Sequence, residues 1–245
     1  CRLQDNLWDE HYGLNGTVET RNLMQVLESM PEYSEFCSVV KRAGLDSVLA
    51  TDQTFTVWAP DNKAMAGYTV NAETKSQFLE NHISRYLYGG VDLADTSSVR
   101  VKMLNGKSQD YARENGNYTF AGVPVKAEEI PAGNGLVHGL SRIAPFYYNL
   151  YENICQEGNG TDSLAAFLTS FDEYTFNEEK STAIGKNASG QIVYDSIFDF
   201  NNDWLRRYGH LHSEDSVYTM IVPLMRDGKK PGAYGRVFPY FRRDV

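Results

Sequence analysis

An α+β fold is what this sequence predicts, and three observations carry that prediction. Helical apolar stripes fill residues 20–50, strand and turn signals fill most of the stretch up to Pro145, and the helices largely precede the strands. In the first stripe Leu23, Val26, Leu27 and Met30 recur at helical spacing until Pro31 interrupts. Phe36, Val39, Val40 and Ala43 form a second stripe, closed by Gly44. "TFTVWAP" (Thr54–Pro60) is β-branched and aromatic up to a proline, which reads as a strand ending in a turn.

"KSQFLENHISRYLYGG" reads as a further helix, with Phe78, Leu79, His82, Ile83, Tyr86 and Leu87 on one side and glycines to stop it. A hairpin region follows. Asn105-Gly106 and Asn115-Gly116 each sit between strand-like residues, and Asn-Gly favours the positive φ angles of tight hairpin turns. "NGLVHGLSRIAPF" closes the unit as a strand. The expected domain covers residues 17–148.

The 245 residues suffice for one large domain or two smaller ones. A formal net charge of −9 repels phosphate backbones, which argues against nucleic acid as a partner. No apolar run approaches the length of a membrane-spanning helix. The sequence starts at Cys1, as it would after removal of a signal peptide ahead of a lipid-bearing cysteine; residues 1–16 would then be a polar tether to a membrane surface. Cys37 lies within an apolar helical stripe, where a cysteine is commonly a small buried hydrophobe rather than half of a disulfide with Cys155. Three cysteines do not make a Cys-rich metal site.

Residues 149–245 partly echo the first domain. Leu23, Leu27, Ser29, Glu32 and Tyr33 match Leu164, Leu168, Ser170, Glu173 and Tyr174 at a single offset, and Asn15-Gly16-Thr17 is echoed by Asn159-Gly160-Thr161. "VYTMIVP" (Val217–Pro223) then stands where "TFTVWAP" stood, after an insertion. A repeat of domain length is an architectural signal. This second copy would supply helices and a first strand and lack the meander.

Four stretches together resemble the fasciclin (FAS1) domain family. "TVWAPDNKAM" (Thr56–Met65) is similar to the family's T-V-F-A-P-T-N-x-A-F, with Trp58, Asp61 and Met65 departing from it. "ENHISRYLYGG" around His82 stands for its histidine motif, Leu104-Asn105-Gly106 for its hairpin, and "NGLVHGLSRIAP" (Asn134–Pro145) for its closing stretch. The resemblance implies a wedge-like β-sandwich with packed helices, with Thr56, Pro60, His82, Asn105, Gly106, Asn134, Gly135 and His138 as structural motif residues. It further implies adhesion or matrix and surface assembly, with no cofactor and no enzymatic activity. Cys1 ahead of tandem copies resembles envelope lipoproteins of the Bacteroides type, anchored to the outer membrane on its periplasmic or surface face.

His82, on an apolar helical stripe, and His138, in the closing strand, have no carboxylate placed beside them by any motif. They are expected to be buried rings bonded to backbone. His210 and His212 of "GHLHSED", with Glu214 and Asp215, are weak metal candidates, since short His-x-His stretches in loops are commonly just exposed. Motifs for phosphate loops, dinucleotide binding, zinc proteases or serine hydrolases are missing. Tyr147, Tyr148 and Tyr151, and near the C-terminus Phe238, Tyr240 and Phe241, form two aromatic clusters. These either make a recognition surface or seal the contact between the copies. Sequons occur at Asn15, Asn117, Asn159 and Asn187 and would stay mostly bare in a bacterial setting. The leading expectation is adhesion or surface scaffolding through an unidentified protein or glycan; the alternative is a glycan- or peptide-binding accessory protein of a nutrient-uptake system.

Overall fold

A computed structural model describes residues 19–71, 73–89, 93–158, 160–178, 181, 183–186, 192–194, 198–214 and 218–221. Two compact units emerge: one runs to Phe146 and takes in Ala183–Asp195, the other comprises Tyr147–Thr182 and the chain from Ser196.

The first unit begins with α1 (Leu23–Glu28), whose Asn22 cap forms a reciprocal capping box with Gln25. Pro31 ends that run and starts a 3₁₀ turn, Pro31–Tyr33, where its fixed φ suits a first helical position. Next come α2 (Ser34–Arg42) and the short α3 (Asp46–Leu49). The predicted stripes face inward: Leu23, Leu27, Phe36, Val39 and Val40 lie in one core, which Val48 and Leu49 of α3 join.

Strand β1 (Phe55–Pro60) is buried along its whole length. Alternation sends Phe55, Val57 and Ala59 into the helical core and Trp58 into a second core on the opposite face. Then β2 (Ile83–Ser84), β3 (Ser97–Lys102), β4 (Ser108–Glu114), β5 (Asn117–Phe120), β6 (Val123–Ala132) and β7 (Gly135–Leu140) complete a seven-stranded sheet ordered β2-β1-β7-β6-β5-β4-β3. The β3–β7 run is an antiparallel meander, while β7 returns to lie parallel to β1, with Trp58 opposite His138. The sheet rolls until its two ends meet: Leu104 N donates to Ile83 O at 2.8 Å and Ser84 Oγ to Lys102 O at 2.7 Å. Inside the roll Trp58 stacks on Phe120, with centroids 4.3 Å apart and planes 11° from parallel.

Two local expectations require correction. The helix expected through Tyr86 and Leu87 is a single π-helical turn, Thr74–Leu79, after which Ile83 and Ser84 pair with β1. Strand pairing overrides the helical pattern there, because Trp58 N bonds to His82 O and Leu104 N to Ile83 O, binding this segment to both ends of the sheet. Tyr86, placed on the apolar side by the sequence, is 61% exposed. The two Asn-Gly turns also differ. Asn115 and Gly116 both have positive φ (50° and 75°), giving a two-residue turn between the paired Glu114 and Asn117. At Leu104-Asn105-Gly106 only Gly106 is positive, and the loop holds three residues between Met103 and Lys107.

The second unit has α4 (Leu150–Ile154), α5 (Asp162–Thr169), a ribbon of β8 (Asp172–Phe176) with β11 (Phe198–Asn202), and α6 (Asp203–Tyr208). The intervening β9 (Ala183–Lys186) and β10 (Ile192–Tyr194) pair with each other. Its core is small: Tyr151, Ile154, Leu164, Leu168, Leu205 and Leu211. Leu164 and Leu168 are buried in α5 as Leu23 and Leu27 are in α1. The likeness then lapses. Tyr33 is buried in a 3₁₀ turn, whereas Tyr174 lies in β8 and is 65% exposed. Residues 218–221 of "VYTMIVP" form no strand, and Val222 and Pro223 lie outside the described residues, as do residues 1–16, Cys1 included. Cys37 and Cys155 are free thiols. Burial pushes the Cys37 thiol up to about 11, so at neutral pH it stays protonated.

Candidate functional site

The motif residues of the first unit converge on joints between elements. Thr56 Oγ1 donates to Tyr86 O at 2.7 Å and accepts from Tyr88 N at 3.0 Å, strapping the 84–88 segment across β1. Pro60 ends β1 opposite Leu140, and the next residue, Asp61, donates its N–H to Leu140 O. Asn105 Nδ2 donates to Ser76 O at 3.0 Å while its Oδ1 accepts from Lys107 N at 3.0 Å, so the hairpin is bonded to the π turn. Gly106, at φ 78°, closes that hairpin.

Asn134 joins three elements. Its Oδ1 accepts from Leu23 N at 2.7 Å, at the start of α1, and its Nδ2 donates to Leu49 O and Thr51 O at 2.9 and 2.7 Å, at the end of α3. Gly135 follows because β7 lies against β1 so closely that a Cβ there would stand 1.9 Å from Phe55 O, and its φ of 154° suits no other residue.

His82 is fully enclosed. Its Nδ1 lies 2.7 Å from Phe78 O and its Nε2 accepts from Ala144 N at 3.0 Å, which makes Nδ1 the protonated nitrogen. Burial holds the ring neutral and lowers its pKa to about 4, against the opposing pull of the Phe78 carbonyl. His138 is built the other way round. Nε2–H donates to Tyr88 O at 2.8 Å, and Nδ1 accepts from Glu129 N at 3.3 Å. That second donor is supplied by an irregularity in β6: the register shifts between Ala127 and Ile130, and Glu129 takes a φ of 53°. Burial again lowers the pKa. With both nitrogens of each ring bonded to backbone, neither histidine has a nitrogen left to ligate a metal or to exchange a proton with a substrate.

Sequence reasoning missed several of these joints. Asn62 Nδ2 donates to Pro31 O at 2.9 Å and to Ser34 Oγ at 3.1 Å, and its Oδ1 accepts from Glu35 N at 3.0 Å. Asn81, wholly buried, donates to Pro145 O and accepts from Gln109 Nε2 at 2.9 Å. The signal for Asn62 was present, since it occupies the asparagine position of the proline motif; nothing local marked Asn81.

The aromatic candidates part company. Tyr147 is 71% exposed, Tyr148 is half-buried, and Tyr151 belongs to the core of the second unit. The Tyr151 hydroxyl donates to Asp172 Oδ2 at 2.5 Å, and burial together with that bond pushes its pKa upward, so Tyr151 is a packing residue and not a surface one. Phe238, Tyr240 and Phe241 lie outside the described residues. His210 is exposed and His212 half-buried, with ring centroids 5.9 Å apart. Glu214 accepts instead from Asn149 Nδ2 at 3.3 Å, and among the described residues no three His, Cys, Asp or Glu side chains gather as a metal site would require.

Beside Tyr148 the second unit opens a pocket of about 340 Å³. Tyr148 and Tyr218 supply aromatic wall, Leu150 and Leu211 apolar wall, and Asn149, Asn153, Ser213 and Glu214 polar wall; among the described residues no lysine or arginine lines it. The volume is at the lower end of small-molecule sites. The composition suits a neutral ligand with an apolar face and hydroxyl edges. A separate strip of rings, Phe167 with Phe171 and Trp204 and then Trp204 with Tyr208, lies partly exposed along α5 and α6, a surface that sequence reading did not single out.

Comparison with known proteins bears on the first unit. Residues 31–144 match the family model described as the Fasciclin domain. The chain is 27% identical over 131 residues to transforming growth factor-beta-induced protein ig-h3 of Sus scrofa, covering 49% of this chain and 19% of that protein. It is 25% identical over 130 residues to stabilin-1 of Mus musculus, covering 49% of this chain and 5% of that one. It is 24% identical over 134 residues to protein sll1483 of Synechocystis, covering 52% of this chain and 74% of that one. The first two relatives are therefore far longer than the stretch they share with this chain. Among solved structures, a FAS1 domain pair from the insect cell adhesion molecule fasciclin I is matched at 21% identity and TM-score 0.43, over 52% of this chain and 51% of that one. The family match therefore places a fasciclin-type domain at residues 31–144, within the first unit.

Proposed function

We propose that this chain is a non-catalytic adhesion or scaffolding module of the cell envelope, its fasciclin domain acting as a rigid platform for contact with a surface protein or glycan. One observation carries the reading. The motif residues spend their polar groups on internal joints, and both histidines are closed off by backbone, so what recognises a partner must be surface outside the motifs. Fasciclin membership supports adhesion as the role of such a surface. The acidic net charge of −9 disfavours a polyanionic partner.

The test is attachment of cells to surfaces coated with the full chain, beside albumin-coated controls and the folded His82→Gln variant. Attachment that the variant retains in proportion to its folded fraction supports a platform with outward recognition. No attachment above albumin by fully folded protein refutes the adhesion reading.

The pocket beside Tyr148 favours a second reading, a glycan-binding accessory protein, since tyrosine rings stack on sugar faces while amides and a carboxylate take hydroxyls. Saturation-transfer NMR with methyl glycosides of glucose, galactose, mannose and N-acetylglucosamine decides it. Transfer that the Tyr218→Ala variant abolishes would support it, and the lack of transfer to any of the four would refute it.

A further inference from the structure

The geometry points to Asn115 as a self-modifying position, an asparagine that converts to aspartate and isoaspartate through attack by the following backbone nitrogen. The inference is independent of what the protein binds. Asparagine followed by glycine is the pair most open to this reaction, because no side chain shields the attacking amide. Three such pairs lie among the described residues, at Asn105, Asn115 and Asn134. The fold treats them differently.

The carboxamide of Asn134 is buried and fixed by three hydrogen bonds to Leu23, Leu49 and Thr51, and Gly135 is wedged against Phe55 O. Swinging its Cγ toward Gly135 N would break all three. Asn105 is bonded through Oδ1 to Lys107 N and through Nδ2 to Ser76 O. Asn115 stands at the tip of the β4–β5 hairpin, exposed, and its side chain has no hydrogen-bond partner among the described residues. No packing crowds Gly116 either, since a Cβ placed there meets no atom within 4 Å.

In the reaction Gly116 N attacks Asn115 Cγ. The new C–N bond closes a five-membered imide, the Cγ–Nδ2 bond breaks, and Nδ2 leaves as ammonia, taking up the proton that Gly116 N gives away. Water then opens the imide at either carbonyl, leaving aspartate or isoaspartate, so the net change is one water consumed and one ammonia released. Gly116 N–H donates to Asp95 Oδ1 at 3.0 Å. This carboxylate is placed to accept the proton as the imide bond forms and to pass it to the departing nitrogen. Asp95 is thus a positioning residue for the conversion. The product adds a negative charge between Glu114 and Asp95. Its isoaspartate form inserts a methylene into a two-residue turn, whose paired ends Glu114 and Asn117 leave no slack for it.

Tryptic mapping tests this directly, because the three pairs fall in separate peptides, 103–107, 114–126 and 127–142. The full folded chain is aged at neutral to mildly alkaline pH, beside a sample held in urea. In the folded sample, peptide 114–126 should convert several-fold faster than the other two, with isoaspartate among its products; in urea the three rates should draw together. Conversion of 103–107 or 127–142 as fast as 114–126 in the folded protein overturns the assignment. The Asp95→Asn variant, an exposed change that leaves the fold intact, should convert more slowly at 114–126. A rate that is unchanged or raised overturns the role given to Asp95.

Discussion

Protonating His82 should weaken the first unit, and the size of the effect can be worked out. The ring is neutral in the fold, with Nε2 accepting from Ala144 N, so a proton there would replace an acceptor with a donor facing a donor. Its pKa falls from the model-peptide value of 6.5 to about 4 in the fold. Between those values the unfolded chain binds more protons than the native one, so stability falls as pH falls. The contribution is complete above pH 6.5, declines through the window, and is fully lost below pH 4. By pH 5 the loss is about 2 kcal/mol from His82 alone, and about 3 kcal/mol once both states are protonated. His138, lowered by burial too, adds in the same direction.

Urea unfolding at a series of pH values down to pH 5, followed through Trp58 fluorescence with Trp8 and Trp204 replaced by Phe, reads the effect as a shift in midpoint at constant slope. Ordinary carboxylates titrate mostly below that window, which leaves the histidines to dominate it. His82→Gln should be less stable at pH 7.5 yet show a shallower pH dependence, having lost one of the two buried rings described in the first unit. A flat wild-type profile, or an undiminished slope in the variant, would refute the assignment of a neutral, doubly bonded ring.

Asn134→Ala strands one buried N–H and two carbonyls at once, each costing about 1–3 kcal/mol when unpaired, and the three are not additive. A loss of about 3 kcal/mol in urea unfolding is expected, and a loss below about 1 kcal/mol would mean water replaces the amide. Gly139→Ala should destabilise through a clash, since its Cβ would stand 2.1 Å from Tyr33 Oη. Tyr33→Phe removes that atom, so the double variant should recover part of the loss, with a coupling above about 1 kcal/mol by double-mutant cycle; additive losses would place the strain elsewhere.

Periodicity made the front of the first unit legible. Leu23, Leu27, Phe36, Val39 and Val40 needed only helical spacing to be placed in a core, and they are there. The meander could be read from Asn115-Gly116, where the residue pair and the turn conformation are the same physical statement. What local pattern could not show was the long-range pairing. Ile83 satisfies a helical stripe equally well, and only β1 and Leu104, remote in sequence, decide that it is extended. The parallel return of β7 onto β1, which sets Trp58 beside His138, is likewise invisible without the fold. The exposed rings of α5 and α6 were hidden for the opposite reason. Phe167, Phe171 and Trp204 fit an apolar stripe, and a stripe predicts burial whether or not a core exists to receive it.

The contrast between the two units follows from how many layers each can stack. The first has helices on one face of a rolled sheet and an aromatic core within the roll, so β1 and β7 are covered on both sides. The second has short helices and a two-stranded ribbon around a core of six buried apolar residues among those described. A ribbon of two strands cannot bury both its faces, and among the described residues nine of the eleven exposed large apolar side chains belong to this unit. Motif residues turned inward make the fasciclin domain stiff and leave them silent about the partner. Ring-rich surface with little core beneath it is the reverse case: it contributes little to its own stability and gains most from being covered. If adhesion is the function, substitutions of the first unit's motif residues should alter binding only through folding, whereas Phe167→Ser or Tyr208→Ser in the second should alter binding while leaving the unfolding midpoint of the first unit in place.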